Sequence, residues 1–479
     1  MAPDELMWKS AAEQAELVRS GEVSSRELVE ASLEAIDRNN GELNAVVTLC
    51  VEEALEQADA VQAGDSRPLA GVPMLVKDLI ALTKGVRTTF GMRAMGEWAP
   101  SIDSSTVRRL REAGAIVVGK TNTPEMGILP VTEPLRFGPA RNPWDTSRTP
   151  GGSSGGSGAA VASGMVAMAH GNDGGGSLRI PGSCNGLVGL KPSRGRISWA
   201  PEFEELVAGF AIDGVLSRTV LDTAIGLDVL SGYETGDPYW APDPSAAFVE
   251  SVEREPGKLR VSWTGDSPNG VPVDEECVAA ARQTAELLDE LGHEVTEIQI
   301  DADPAYAEHF IKVWCAQTGD EIHDYERLRG EPIDVELLEP LSREMYELSN
   351  HINATDYLVS LGWLRRYSRV ISHLWDDADV LLTPTLAKPP IEIGALDPAP
   401  GEPAMTMLLK AAAWVPFTPV FNVTGHPAVS LPLHESAGGL PIGVQLVGPP
   451  AGEELLLSVS AQLEQARPWA GRRPQMAPA

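Results

Sequence analysis

Two glycine- and serine-rich runs lie close together in the 479-residue chain. The first is RTPGGSSGGSGAAVASG, from Arg148 to Gly164, and the second is NDGGGSLRIPGS, from Asn172 to Ser183. A serine hydroxyl becomes a nucleophile when a base removes its proton, and glycines let a backbone approach a substrate closely. Three interpretations are therefore open: a flexible linker, a phosphate-binding loop and part of an active site.

The first run does not fit a linker or a nucleotide site. A linker should separate two independent patterns, but this run continues into SGAAVASGMVAMAHG, whose small residues favour a tightly packed helix. A phosphate-binding loop needs G-x-x-x-x-G-K-[ST] or G-x-G-x-x-G, and neither pattern is present. We therefore disfavour both interpretations.

A third pattern, G-x-S-x-G, matches at Ser153 and again at Ser154. In α/β-hydrolases this nucleophile elbow follows a strand directly, whereas here the polar loop RNPWDTSRTP precedes it. His426 is a candidate for the histidine of such a triad, but with eight histidines in the chain that choice carries little weight. The five-residue match alone is weak evidence for an α/β-hydrolase.

A resemblance to the amidase signature family of serine hydrolases is carried by the longer run GGSSGGSGAAVASGMVAMAHGNDGGGSLRIPGSCNGLVGLKPSRGRIS. It extends over nearly the whole chain, since LAGVPMLVKDLI is similar to the family's lysine segment, GAIVVGKTNTPEMG to its next strand and loop, and GLPIGVQLVG to its C-terminal hairpin. The runs TNTPEMG, TEP, NPW and AHGND most resemble the branch that holds the nylon-oligomer (6-aminohexanoate cyclic dimer) hydrolase and related bacterial amidases, some of which cleave urethanes.

The resemblance implies a Ser–cis-Ser–Lys triad. Carried over residue by residue, Ser177 is the nucleophile, Ser153 the bridging serine and Lys77 the base, with a cis peptide bond between Gly152 and Ser153. A lysine acts as a base only when it is neutral, and burial lowers its ordinary pKa of about 10.4. The apolar neighbours of Lys77 in MLVKDLI are consistent with such burial.

The resemblance also implies supporting residues around the nucleophile. Ser154 is expected to form a hydrogen bond with Lys77. Asp173 and Arg179 are expected to pair with each other or with the loop backbone, and a purely structural role for these two residues stays open. Backbone N–H groups would stabilise the oxyanion, and the residues expected to supply them are Gly174, Gly175 and Gly176.

Three residues are candidates for the substrate pocket: Gly127, Ile128 and Cys315. For Cys315 the alternative is a small buried side chain in the core. The chain also departs from the family pattern. Many members carry a hydroxyl residue at the positions of Asn172 and Gly174, and SCNG around Cys184 is unusual. These differences leave the triad intact but affect loop stiffness and pocket shape.

No arrangement of basic residues indicates a carboxylate-bearing substrate. The expected reaction is hydrolysis of the C–N bond of an apolar acyl, aryl or linear amide through an acyl-enzyme, with carbamates within reach of the same chemistry. One alternative is the glutaminase-type subunit of a tRNA-dependent amidotransferase, which would release ammonia from glutamine. The other is a non-catalytic binding protein with a decayed site, which the complete triad disfavours.

The secondary structure elements that position these residues can be predicted from the sequence. Short apolar runs typical of strands alternate with amphipathic segments typical of helices along most of the chain. The alternation predicts an α/β fold with a mixed, mostly parallel twisted sheet covered by helices on both faces. We expect a single amidase signature domain over residues 1–479 with a catalytic core at about 60–230. The strand-poor stretch at about 301–377 predicts a helical insertion, either pocket-forming or purely structural. Ser24 and Glu27 predict a capping box at an N-terminal helix.

Composition narrows the class of partner. The 37 basic and 68 acidic residues give a net charge of −31, which disfavours nucleic-acid binding. No apolar run is long enough for a membrane span, and MAPDELMWKSAAEQ lacks the features of a secretory signal. The four cysteines show no zinc or disulfide spacing. We expect a cytoplasmic enzyme without cofactor or metal that acts on a small amide or carbamate, with a homodimer as an open oligomeric option.

Overall fold

The computed structural model describes residues 2–300 and 303–476. These residues contain one sheet, whose strands in chain order are β1 Val46–Leu49, β2 Pro73–Lys77, β3 Ile116–Thr121, β4 Met168–Asp173, β5 Val188–Lys191, β6 Ile212–Ser217, β7 Arg260–Trp263, β8 Glu294–Glu297, β9 Val380–Pro384, β10 Ala428–Glu435 and β11 Pro441–Val447. The spatial order is β1-β3-β2-β4-β6-β5-β10-β11-β9-β7-β8.

The helices of the described residues are α1 Pro3–Met7, α2 Ala11–Ser20, α3 Ser25–Leu43, α4 Val51–Ala60, α5 Ser105–Glu112, α6 Gly155–Ala162, α7 Arg179–Asn185, α8 Val220–Leu230, α9 Phe248–Val252, α10 Glu275–Glu290, α11 Ala305–Arg329, α12 Pro340–Ser349, α13 Ala354–Ser372, α14 Leu374–Asp377, α15 Thr406–Trp414, α16 Pro419–Thr424 and α17 Glu453–Ala466. The capping box expected for α3 is present, because Ser24 Oγ accepts a hydrogen bond of 3.2 Å from the Glu27 N–H and the Glu27 carboxylate accepts one of 2.7 Å from the Ser24 N–H.

The mixed α/β sheet is confirmed, but parallel pairs are in the minority. Strand β2 is parallel to β3 and β4, and β7 is parallel to β8 and β9, whereas the remaining neighbours are antiparallel. The antiparallel majority arises in the centre of the sheet, where β10 and β11 form a hairpin with a short connection, which joins antiparallel strands only.

Both faces of the sheet are covered by helices, as predicted. On one face Met74, Met168 and Val215 belong to a hydrophobic cluster that includes side chains of α8, α10 and α17. The next residues along the same strands belong to a second cluster, with side chains of α3 and α6. This alternation is the strand periodicity of two, and it places the central strands in a fully buried layer.

The pairing of β2 with β4 brings the two chemically important segments together. Because the strands are parallel, with Leu75 opposite Ala169, their carboxyl ends lie at the same edge. Lys77 ends β2 and Asp173 ends β4, and α7 begins at Arg179 after the glycine loop. Residues about a hundred positions apart in the sequence therefore meet at one edge of the sheet.

The small-residue run after the first glycine loop is only partly helical. Helix α6 ends at Ala162, and the last part of SGAAVASGMVAMAHG is the beginning of β4 at Met168. Gly164 has a φ of +73° and its Cβ position would lie 3.0 Å from the Trp8 ring. This left-handed residue ends the helix, so the expectation of a helix through the whole run is wrong.

The stretch expected to be a helical insertion contains α11, α12, α13 and α14, with no strand among its described residues 303–377. Residues 301 and 302 of that stretch lie outside the described residues, as do residues 1 and 477–479 of the expected domain. Helices α12 and α13 both pack against α11. This arrangement leaves one face of α11 directed at the edge of the sheet where β2 and β4 end.

Candidate active site

Lys77 is completely buried at the end of β2. Its Nζ atom lies 2.7 Å from Ser153 Oγ and 2.5 Å from the side-chain oxygen of Asn172. Burial lowers the pKa of Lys77 to about 7, although the negative charges of Asp213 and Asp173 oppose that shift. A lysine of this kind is neutral in a large fraction of molecules near pH 7 and can then accept a proton.

The two serines of the expected triad face a common cavity. The peptide bond between Gly152 and Ser153 is cis, and α6 begins two residues after Ser153. Ser177 lies in the turn between β4 and α7, and 8% of its surface is exposed. Both hydroxyl-bearing residues line a small cavity that also contains Asn172. The structure thus brings Lys77, Ser153 and Ser177 into one place.

Ser154 does not bond to Lys77, and that expectation is wrong. Its Oγ donates to the backbone carbonyl of Asn172 at 3.1 Å and accepts from the Asn172 N–H at 3.3 Å. The second partner of Lys77 is instead the Asn172 side chain. Ser154 therefore holds the backbone of β4 in place, because its hydroxyl group makes both of its hydrogen bonds with the backbone of Asn172.

Asp173 and Arg179 form the expected pair, and both side chains are fully buried. Arg179 donates from Nε to one carboxylate oxygen at 3.0 Å and from Nη2 to the other at 2.9 Å. Burial alone would raise the pKa of Asp173, but the Arg179 guanidinium holds it well below its ordinary value. From the C-terminal part of the chain, Asn422 of α16 bonds to both residues of the pair, and Gln445 of β11 accepts a hydrogen bond from Arg179.

The glycine loop supplies a different set of free N–H groups from the one expected. The Gly176 N–H donates to Asp173 at 2.7 Å, so it is not available to an oxyanion. A side chain at Gly176 would lie 2.3 Å from Thr418 Oγ1 at a φ of +131°, so this glycine is required by packing. Within residues 174–178, Gly176 and Leu178 donate their N–H groups to Asp173, whereas the N–H groups of Gly174, Gly175 and Ser177 have no acceptor among the described residues.

Two cavities meet at Ser177. The larger one has a volume of about 410 Å³ and a mostly apolar wall formed by helices α11, α15 and α16 and the loop after Met126. The smaller one has a volume of about 40 Å³ and lies on the side of Ser153. Gly127 and Ser177 line both cavities.

The expected pocket residues divide into two groups. Gly127 lies beside Ser153, since a Cβ on it would be 3.2 Å from Ser153 Oγ, and Ile128 lines the larger cavity. Cys315 is buried in a hydrophobic cluster and lines neither cavity, so its candidacy as a pocket residue is wrong. Cys315 follows Trp314 on α11 and is rotated by about 100° from the face that meets the site. His426 also lines neither cavity, and burial lowers its pKa to about 3.

Sequence reasoning missed one whole face of α11. Its side chains at helical spacing form a wall of both cavities; they are Phe310, Ile311, Trp314, Gln317, Thr318, Glu321 and Tyr325. The spacing by three or four residues is the signal that could have found them, but it is equally typical of a helix packed in a core. Asn172 was noted only as a departure from the family pattern.

Two further features of the described residues bear on metal binding and on membrane insertion. Within residues 2–300 and 303–476, no group of three or more His, Cys, Asp or Glu side chains could hold a metal ion. No helix in the described part of the chain has the length and hydropathy that crossing a membrane requires.

Comparisons with known proteins agree with this architecture. The family described as Amidase matches residues 27–457. The 6-aminohexanoate-cyclic-dimer hydrolase of Pseudomonas sp. (strain NK87) is 41% identical over 98% of this chain and 97% of its own length. A solved structure of 6-aminohexanoate cyclic dimer hydrolase complexed with substrate is 40% identical with a TM-score of 0.93, covering 98% of this chain and 99% of that one. A bacterial aryl acylamidase of the amidase signature family is 28% identical with a TM-score of 0.86, with the same coverage of both chains.

The family match over most of the chain and the similarity to hydrolases and amidases show an amide-hydrolysing enzyme. This chain belongs to the amidase signature family.

Proposed function

We propose that the chain is a serine amidase in which Ser177, Ser153 and Lys77 act as nucleophile, proton relay and base. The observation that carries the proposal is the 2.7 Å contact between Ser153 Oγ and the buried Nζ of Lys77. A hydroxyl group can donate one proton and accept another, so Ser153 can connect Ser177 to Lys77. Neutral Lys77 provides the base that an ordinary serine lacks.

The reaction proceeds through an acyl-enzyme. Ser177 Oγ attacks the carbonyl carbon of the substrate, its proton passes to Ser153, and the Ser153 proton passes to Lys77. The N–H groups of Gly174, Gly175 and Ser177 stabilise the negative oxygen of the tetrahedral intermediate. The C–N bond then breaks, and the proton returns through Ser153 to the leaving nitrogen. Water attacks the acyl-enzyme by the same proton route and releases the acid and free Ser177.

The larger cavity supports an apolar acyl or aryl group as one half of the substrate. Its lining at the Ser177 end includes Ile128, Phe310 and Trp314, and aromatic and aliphatic side chains favour apolar ligands. Related proteins named as a 6-aminohexanoate-cyclic-dimer hydrolase and an aryl acylamidase fit this class of substrate. Carbamates would follow the same steps, with an alkoxy group in the position of the acyl chain.

The test is aniline release from an N-aryl amide and from the N-aryl carbamate of the same aniline. Wild type should release aniline from the amide, and Ser177→Ala should release none above the uncatalysed rate. Ser66→Ala, which changes an exposed serine, should retain wild-type activity. Turnover by Ser177→Ala would exclude the proposed nucleophile, and a similar rate on the carbamate would assign a urethane-cleaving activity.

A further inference from the structure

The smaller cavity contains a carboxylate that the proposed mechanism does not use. Glu321 lies on α11 and lines this cavity together with Ser153 and Ser177. Tyr325 donates a hydrogen bond of 3.2 Å to one oxygen of Glu321. The other oxygen has no hydrogen-bond partner among the described residues. It is not fully buried, unlike a set of other unpartnered polar atoms in the described part of the chain. It therefore has accessible surface, on a side chain that lines this cavity.

The other polar side chains of the same wall are already satisfied. Gln317 accepts a hydrogen bond from the Ala208 N–H and donates one to the Tyr357 hydroxyl. Thr318 donates to a carbonyl of its own helix. Glu321 is thus the side chain of this wall with an oxygen that makes no hydrogen bond to any described residue.

No cation in residues 2–300 and 303–476 forms an ion pair with Glu321, whereas Asp320 and Asp324 add negative charge beside it. Burial raises the pKa of the Glu321 carboxyl group to about 8. An enclosed carboxylate without a positive partner is costly, and a ligand that brings N–H donors or a positive charge relieves that cost. An amino group is such a ligand.

The two halves of the substrate can be assigned to the two cavities. Ser153 lines the smaller cavity and not the larger one. On the proposed mechanism Ser153 must pass a proton to the leaving nitrogen, which requires hydrogen-bond distance. The amine half of the substrate therefore occupies the smaller cavity, and the acyl half occupies the larger one.

We propose that Glu321 binds a second amino group on the amine half of the substrate, so that the enzyme prefers amides of short diamines. This inference rests on the proposed function. The cavity of about 40 Å³ is limited to a compact group, since one water needs roughly 10–15 Å³ on this measure. A two-carbon spacer between the scissile nitrogen and the second amine suits that size.

The experiment compares two substrates of equal length on wild type: N-(2-aminoethyl)hexanamide and N-propylhexanamide, which differ by an amino group in place of a methyl group. We expect kcat/KM to favour the aminoethyl amide by about 10-fold or more, the usual effect of a charge-assisted hydrogen bond. Glu321→Gln keeps the size but cannot become the carboxylate that a bound ammonium group stabilises, so it should reduce this ratio to about 2-fold or less. Glu347→Gln, at an exposed glutamate of α12, should keep the wild-type ratio.

A ratio near one in wild type, or an unchanged ratio in Glu321→Gln, would overturn the inference. Ser177→Ala separates this failure from failure of the proposed function: if both amides need Ser177 but react equally fast, only the role of Glu321 is wrong. If Glu321→Gln does not fold, product inhibition of wild type by 1,2-diaminoethane and by propylamine decides the question. The diamine should inhibit about 10-fold more strongly, and equal inhibition would overturn the inference.

Discussion

The side-chain oxygen of Asn172 lies 2.5 Å from Nζ of Lys77. The amide nitrogen of Asn172 donates to the Leu79 carbonyl at 3.3 Å, which turns the oxygen toward the lysine. An amide oxygen can only accept, so it takes one N–H of Lys77 and leaves the lone pair of the neutral amine free to face Ser153. Asn172 therefore positions the base.

Asn172→Asp should shift the activity to higher pH. The new carboxylate would stand at the same distance from Nζ and would stabilise the ammonium, raising the pKa of Lys77 by about 1–3 units. The rate at pH 7 should fall by about 10-fold or more. The measurement is kcat/KM for an N-aryl amide from pH 6 to 10. Asn269→Asp is the control, because it adds the same charge at the exposed end of the larger cavity; an equal shift in both variants would contradict the contact with Lys77.

The wild-type pH profile follows from the state of Lys77. If the neutral amine is the base, as we propose, its pKa of about 7 means that kcat/KM should rise with pH through 7 and level off above it. Burial also lowers the pKa of Lys191 to about 7, so the profile alone does not identify the group. The shift in Asn172→Asp does, since Asn172 bonds to Lys77. A flat profile from pH 6 to 10 would exclude Lys77 as the base.

Asp173→Asn should destabilise the protein. The substitution leaves the guanidinium of Arg179 buried without a counter-charge, and breaking a buried pair in this way costs about 3–5 kcal/mol of unfolding free energy. Urea denaturation at pH 7 measures that loss. The folded-state pKa of Asp173 is depressed, so its stabilisation is present above the unfolded-state pKa of about 3.9 and is lost as the pH falls below it. The difference between wild type and variant should therefore shrink in acid, and a constant difference would contradict the ion pair.

Gly127→Ala should impair catalysis beyond its effect on stability. The new methyl group would lie 2.5 Å from a methyl of Leu79 and 3.2 Å from Ser153 Oγ, at a φ of +67°. Gly85→Ala is the matched control, because Gly85 has a φ of +76° and open space around its Cβ position. Both variants should lose about 1–2 kcal/mol from backbone strain, but only Gly127→Ala should lower kcat, by about 10-fold or more. Equal kcat values would contradict crowding at Ser153.

The elements with the strongest periodicity could be predicted from the sequence. The apolar runs GVPMLVKDLI and AIVVGKTN predict strands, and KLRVSWTGD, VDEECVAAARQTAELLDELGH and EVTEIQI predict a strand, a helix and a strand. The structure has β2, β3 and the unit β7–α10–β8 at these places. Strand β4 was missed because MAHGND follows a run of small residues without alternation. Antiparallel pairing in the centre of the sheet could not be predicted, since pairing depends on which strands become neighbours in space.

In the site, too, local motifs predict some features, whereas contacts between distant segments determine the others. Lys77, Ser153 and Ser177 were assigned through motifs that the family shares, and the structure brings them together. The contact of Asn172 with Lys77 depends on the parallel register of β2 and β4, which no local pattern contains. Likewise, the hydrogen bond from the Gly176 N–H to Asp173 depends on the direction of the Asp173 side chain, which no local pattern predicts. The sequence pattern thus predicts which residues are candidates for the reaction, but not which of their neighbours hold them in place.

The buried pair of Asp173 and Arg179 also has a consequence for how the chain is made. Asn422 and Gln445, which complete its hydrogen bonds, lie more than 240 positions after Asp173. During synthesis these residues leave the ribosome long after the catalytic serine has emerged. We therefore expect a nascent chain that ends before Thr418 to have all three reacting residues and no hydrolytic activity. The hydrogen bonds around the Asp173–Arg179 pair are complete only when the last eighth or so of the polypeptide, from Thr418 onward, has packed against the loop.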